Sequence, residues 1–232
     1  SSDVCSSDLK DWKAITTASV WRQLDEFLWP EIHKWARLLR WDRIGRAPFI
    51  DDRELLKLSL NLRTGSAFAI ASDKPSALEG AHADCLFYLF DESKAVPDGV
   101  FDAAEGAFST TGEIFAMAVS TPGDVAGRFH AIHTDRERFS EWWCRQVTLD
   151  ECIAAGRVSA DWAAARRREW GETSSAYINR VLGQFAYTDP EGGLIPRSHV
   201  KLAQERWRQI KEDIDKGRRL PFVGYGVDVG GE

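Results

Sequence analysis

Apolar and polar positions change their period several times along the chain, and each change predicts an element. Residues 12–17 (WKAITT) have strand character and end in hydroxyls. Ser19 is then a candidate N-cap. Apolar residues follow at Val20, Leu24, Phe27, Leu28, Ile32, Trp35 and Leu39, close to a helical period. Pro30 falls inside this stretch and predicts a kink or a division, because it has no N–H to donate and its ring crowds the preceding turn. Residues 55–62 alternate weakly, Thr64-Gly65 makes a turn, and residues 67–71 (AFAIA) read as the returning strand.

Two later runs have a different texture. Residues 85–90 (CLFYLF) and 114–119 (IFAMAV) are continuously apolar and of strand length, the pattern of strands covered on both faces. Residues 98–107 between them have helical character. Two buried strands joined by a helical crossover predict a parallel α/β sheet. Residues 143–147 are a candidate for one more strand. Beyond them the pattern turns helical: residues 149–155, then 160–170 with Ser159 as N-cap, then 174–181. Residues 183–185 read as extended, and Asp189-Pro190-Glu191-Gly192-Gly193 as a turn or linker. A charged helix over residues 198–216 is ended by Gly217.

Composition narrows this only a little. No apolar run reaches the ~18 residues a membrane span needs, and the start has neither the basic residues nor the apolar stretch of a signal peptide. A cytoplasmic protein with no membrane partner is the expectation. The four cysteines, Cys5, Cys85, Cys144 and Cys152, have no CxxC spacing, which argues against a zinc ribbon or a disulfide framework. A net charge of −6 weighs against a protein that merely coats nucleic acid, although a local basic surface would suffice for handling it. The ten tryptophans include Trp21, Trp29, Trp35 and Trp41 on the first helical stretch, where core packing is the ordinary expectation.

Candidate chemistry concentrates after the two apolar runs. Leu86, Phe87, Tyr88, Leu89 and Phe90 followed by Asp91 and Glu92 form a Walker B pattern. Such a strand delivers Asp91 to the carboxyl end of a parallel sheet, where ligands bind in open α/β folds. There Asp91 is placed to hold, through water, the Mg²⁺ of a bound nucleotide, and Glu92 to polarise the attacking water. A buried strand ending in a solvated acidic turn would give the same letters. The second run ends in Ser120-Thr121-Pro122-Gly123, whose hydroxyls suit sensing of a γ-phosphate; a plain Pro-Gly turn is the competing reading. Arg128 follows this turn and is a candidate phosphate contact. His130 and His133 are three residues apart but have no nearby acidic or cysteine partner to complete a metal site. Arg166-Arg167-Arg168 reads as a solvated helix face among acidic neighbours.

Several of these segments together resemble the large subunit of tailed-phage terminases. They are Gly80-Ala81-His82-Ala83, then Phe90-Asp91-Glu92-Ser93-Lys94-Ala95-Val96-Pro97, then Phe101-Asp102-Ala103-Ala104-Glu105-Gly106. Ser120-Thr121-Pro122-Gly123 with Gly127-Arg128-Phe129, and Thr16-Thr17-Ala18, extend the likeness. Trp142-Trp143, residues 175–185 and Gly193-Leu194-Ile195-Pro196 continue it, so that it runs from about residue 10 onward. The resemblance implies a P-loop-NTPase-like α/β domain with a mostly parallel sheet and flanking helices. It implies ATP and Mg²⁺ as cofactors, Asp91 as a metal ligand, Glu92 as the catalytic residue, and Ser120 and Thr121 at the nucleotide. Gly224-Tyr225-Gly226-Val227-Asp228-Val229-Gly230 resembles the first strand of the family's RNase-H-like nuclease, with Asp228 as the first ligand of its Mg²⁺ or Mn²⁺.

No GxxxxGK[ST] occurs in the chain, so the P-loop of such a domain is missing from it. The expected organisation is a non-native or disordered leader over residues 1–9, the C-terminal portion of an ATPase domain over 10–148, a helical linker region over 149–220, and a truncated nuclease start over 221–232. In the intact protein the resemblance implies ATP-driven packaging of viral double-stranded DNA into a procapsid in the bacterial host cell, with DNA cleavage by the nuclease. Its implied partners are the portal protein, the small terminase subunit and further copies in a homo-oligomeric ring. A helicase-type motor fragment and an inert prophage remnant are the alternatives. This chain alone is expected to be inactive.

Overall fold

Residues 12–17 do form a strand, and it lies in the middle of a sheet. The computed structural model of the chain describes residues 11–71, 82–108, 112–187 and 197–218, with side chains in the last stretch from residue 203. The strands are β1 (Trp12–Ala18), β2 (Leu55–Leu56), β3 (Ser59–Leu62), β4 (Gly65–Ala71), β5 (Cys85–Asp91) and β6 (Glu113–Val119). They form one six-stranded sheet in the order β2-β3-β4-β1-β5-β6. β4, β1, β5 and β6 run parallel, while β2 and β3 add antiparallel hairpins at one side. The expected mostly parallel sheet with flanking helices is therefore present. Helix α3, numbered after the two helices α1 (Trp29–Leu38) and α2 (Trp41–Ile44), spans Asp98–Ala107 and makes the crossover from β5 to β6.

The sheet is covered unequally. On one face Ile15, Leu86, Tyr88 and Phe90 pack with Val100, Phe101, Ala103, Ala104 and Ala107 of α3. On the other, Ala18 packs with Leu24, Trp29, Ala36 and Leu55, and Ala67 and Ala69 join them, so the second cover lies over β1 and β4. The expectation that both apolar runs are covered on both faces is corrected here. Leu86, Tyr88 and Phe90 are fully buried, but Phe115 and Met117 of β6 are 55% and 49% exposed. A continuous apolar run reports strand length and propensity; it does not report how far a covering helix extends across the sheet.

The first helical stretch also departs from a single α-helical face. It runs as a π-helix over Gln23–Leu28 and becomes α-helical at Trp29. Buried Leu24 and Trp29 are five positions apart, the i→i+5 spacing of a π turn. The wider turn rotates the later side chains away from an α register. Trp35 is therefore exposed, and Val20, Trp21 and Phe27, which come before or within the π segment, are exposed as well, against the packing expected for them. Pro30 sits in the first turn of the α-helical part, where its missing N–H does least harm. The division expected from it is found there as the change of helix type.

At the opposite end of β1 the backbone comes too close for any side chain. A Cβ on Gly65 would lie 2.2 Å from the Trp12 carbonyl oxygen and 2.5 Å from its ring. Gly65→Ala should therefore push β4 from β1 and destabilise the fold by about 3 kcal/mol, the upper end for an overpacked site, measurable as a lower denaturation midpoint.

Residues 143–147 form no strand; they lie in an irregular segment, with Trp143 81% exposed. Residues 183–185 likewise form no strand. The helices that follow are α4 (Gly127–Thr134), α5 (Leu149–Ala154), α6 (Ala160–Trp170), α7 (Ser175–Arg180) and α8 (Arg197–Asp215). Thr148 and Glu151 form a capping box on α5, Ser159 accepts from the Trp162 N–H on α6, and Ser174 caps α7. The chain divides into two compact units, Ser1–Ala186 and Tyr187–Glu232, and α5 to α7 belong to the first. The leader over residues 1–9, the loop over 72–80, the linker turn over 189–193 and the nuclease strand around Asp228 lie outside the described residues. No helix among the described residues is long and apolar enough to cross a membrane.

Candidate active site

The register of the parallel strands brings their ends to one level: Ala18 lies opposite Asp91, and Asp91 opposite Val119. The residues that follow β1, β5 and β6 therefore meet at the carboxyl edge of the sheet, where an open α/β fold offers unpaired backbone groups and space for a ligand. Asp91 and Glu92 come from β5, and Ser120 and Thr121 from β6.

Each of these side chains is held. Gln23 Nε2 donates to Asp91 Oδ2 at 3.2 Å. Gln23 opens the π-helical segment, so this contact depends on the helix geometry that also buries Leu24 and Trp29. Trp29 in turn donates from Nε1 to Thr16 Oγ1 at 3.0 Å, a buried bond that fixes the helix against β1. π turns recur at functional sites because they re-aim a side chain without breaking the helix.

Glu92 takes a left-handed backbone conformation, with φ 48° and ψ 47°. For a residue with a Cβ this costs about 1–2 kcal/mol, and such strain collects where function requires it. The turn is pinned by Ser93. Its buried hydroxyl is 2.7 Å from the Phe90 carbonyl oxygen and 3.1 Å from that of Val119, so its single proton is shared between the ends of β5 and β6. Across this junction Ser120 Oγ donates to Glu92 Oε2 at 3.2 Å. Lys94 Nζ lies 3.6 Å from the same oxygen and donates to Thr121 Oγ1 at 2.6 Å. Thus the two motifs read separately in the sequence meet through Ser120, Lys94 and Ser93.

The sequence pattern does not single out Gln23, Ser93 or Lys94 as site residues. Ser93 and Lys94 follow the acidic pair directly, which is the available signal. Gln23 has none, because its role rests on a π turn and a partner 68 positions away.

Arg128 is placed differently from its expected role. Gly127, with φ 78°, turns the chain so that the Arg128 N–H donates to Asp98 Oδ1 at 2.8 Å. The guanidinium, 9% exposed, bonds Asp102 and also Glu105 Oε1 at 2.7 Å, both on α3. It lies 5.9 Å from the Phe101 ring and 5.7 Å from that of Phe139. Burial by itself pulls its pKa down, but the bonds and charges of Asp102 and Glu105 outweigh this and raise it. Arg128 in this arrangement is an internal tie between α4 and α3. Its guanidinium donors are turned to these two carboxylates, an orientation the sequence position alone does not report.

Other candidates resolve without chemistry. His133 Nδ1 is 3.0 Å from the Phe129 carbonyl oxygen, and its ring packs on Phe129 at 4.6 Å. Among the described residues no group of three or more His, Cys, Asp and Glu side chains is arranged to hold a metal. Cys85 is half-buried, and burial, followed by the Glu113 carboxylate, pushes its thiol pKa up, away from nucleophilic use. Arg167 pairs with Glu172 at the surface, while Arg166 pairs with Glu169 and lies over the Trp170 ring at 5.4 Å, partly covered.

No protein-family model matches the chain, and no curated protein matches it. Solved structures do. The large terminase of a thermophilic bacteriophage aligns with a TM-score of 0.57 at 13% identity, covering 80% of this chain and 44% of that one. The same thermophilic-phage protein in complex with ATP-gamma-S aligns with a TM-score of 0.54 at 14% identity, covering 79% and 42%. The large terminase ATPase domain of Thermus phage P74-26 aligns with a TM-score of 0.50 at 17% identity, covering 77% and 78%. The chain thus spans less than half the length of the first of these proteins but most of the P74-26 ATPase domain. Likeness at this level of identity establishes architecture, and the architecture is that of the ATPase domain of phage large terminases.

Proposed function

We propose that the chain is a large-terminase fragment, and that its sheet edge at Asp91 and Glu92 is the catalytic half of a Mg²⁺-dependent ATPase site. The observation that carries this reading is the meeting of Asp91, Glu92, Ser120 and Thr121 at the carboxyl end of three parallel strands. The fold match adds weight, since one of the similar structures was obtained with ATP-gamma-S.

The residues fit a nucleotide-bound Mg²⁺. That ion takes one or two carboxylates, with phosphate and water oxygens completing its shell, and does not need an all-protein cage. Asp91 supplies one carboxylate at the sheet edge, with Gln23 fixing one of its oxygens. The bound metal would offset negative charge on the phosphates. Glu92 orients and polarises the attacking water. Its Oε2 accepts from Ser120 and faces Lys94, which fixes the orientation of the carboxylate toward that water. Ser120 and Thr121 lie where hydroxyls can report the presence of the γ-phosphate.

In the whole protein this site would drive packaging of double-stranded viral DNA, with the portal protein, the small subunit and a ring of copies as partners, in the cytoplasm of the bacterial host. Asp228 would begin a separate metal-dependent nuclease site. The direct test of the metal role is Asp91→Asn in a protein joining this chain to a P-loop segment. Calorimetry should show weaker ATP binding in Mg²⁺ and unchanged binding in excess chelator. Equal Mg²⁺-ATP affinity in the two proteins would remove Asp91 from the metal site.

A further inference from the structure

Lys94 stands between the two motifs without belonging to either. Its ammonium is 2.6 Å from Thr121 Oγ1 on the β6 side and 3.6 Å from Glu92 Oε2 on the β5 side. Its stem lies over Gly123, where an added Cβ would be 2.9 Å from Lys94 Cδ. The ammonium and the Ser120 hydroxyl both address the same Glu92 oxygen. Glu92 is moreover held in a left-handed backbone conformation, which sets where its carboxylate emerges.

We infer that Lys94 is a positioning residue: it clamps the Glu92 carboxylate to Thr121, so that the general base and the hydroxyl turn after β6 move as one unit. The inference rests on the ATPase reading above for its catalytic meaning. The clamp itself is a property of this chain. A lysine suits the task, because its ammonium is a compact charge with three donors that can serve a hydroxyl and a carboxylate together. The stem over Gly123 limits the positions the ammonium can reach. Both ion-pair partners are about a third exposed, so the pair contributes little to stability, and its value lies in orientation. An off-target carboxylate is costly in a different way, since small misplacement of a catalytic group lowers the rate out of proportion to any loss of binding.

Two readouts test this. The first uses the 232-residue chain itself, with trace amine acylation of each lysine followed by mass spectrometry. Lys94 should acylate several-fold more slowly than exposed Lys211, and Thr121→Val and Glu92→Gln should each speed it about threefold. Equal Lys94 rates in wild type and both variants would overturn the clamp. The second uses the chain joined to a P-loop segment. Lys94→Met should lower kcat about tenfold with the KM for ATP within about twofold, as expected for a residue that acts through the orientation of Glu92 and not through nucleotide binding. A kcat within twofold of wild type for Lys94→Met, in a protein where Glu92→Gln shows its large loss, would overturn the positioning role. A normal rate for Glu92→Gln would instead overturn the ATPase reading, and the acylation rates would still decide the clamp.

Discussion

Glu92→Gln should slow ATP hydrolysis by about two orders of magnitude or more while leaving nucleotide affinity nearly intact, in a protein that supplies the P-loop this chain lacks. Glutamine keeps the shape and the bond from Ser120, since its amide oxygen can accept where Oε2 does. It cannot take up a proton or lend negative charge to the attacking water. In the proposed site, binding would rest elsewhere, on the supplied P-loop and on Asp91. The separation of rate from affinity is therefore the signature of the role, and steady-state turnover together with calorimetry measures both. A rate within a few-fold of wild type would take the general base away from this edge.

The second large effect concerns the fold. Replacing Asp102 with Asn and Glu105 with Gln together should cost about 3 kcal/mol, because it leaves the 9% exposed guanidinium of Arg128 with no counter-charge. That figure is at the low end of the range for broken buried pairs, since Asp102 is 61% and Glu105 40% exposed and water reaches their side of the contact. Arg128→Met should cost less, about 1–2 kcal/mol, because the acids it abandons are hydrated and the lost part is mainly packing over Phe101 and Phe139. Urea denaturation of the two variants gives the order. A larger loss for Arg128→Met than for the double variant would mean that packing, not charge, holds α4 to α3.

Much of this fold is legible in the sequence, and for identifiable reasons. Helix α3 falls on Asp98–Ala107 as its pattern predicts, and β5 and β6 fall on the two apolar runs. Ser159 caps α6 as expected from its place before the helical residues. These features are local: a period, a cap, a run of strand formers. The departures are non-local or conformational. The stripe from Val20 to Leu39 reads at the α period, but a π segment changes the period inside it and exposes Trp35. Residues 143–147 have apolar composition but found no neighbouring strand. The acidic pair is legible because an apolar strand announces it. Of the partners that fix it, Lys94 is marked only by following the pair, and Gln23 not at all, since a polar contact across the chain leaves no period to read.

The central claim is that the edge at Asp91 and Glu92 receives the metal-bound phosphates. Paramagnetic broadening by Mn²⁺-ATP in amide spectra of the chain joined to a P-loop segment tests it without turnover. The amides of Asp91, Glu92, Ser93, Ser120 and Thr121 should broaden at the lowest Mn²⁺-ATP concentrations, and Asp91→Asn should abolish this selectivity. Broadening centred on another surface, or unchanged in Asp91→Asn, would contradict it.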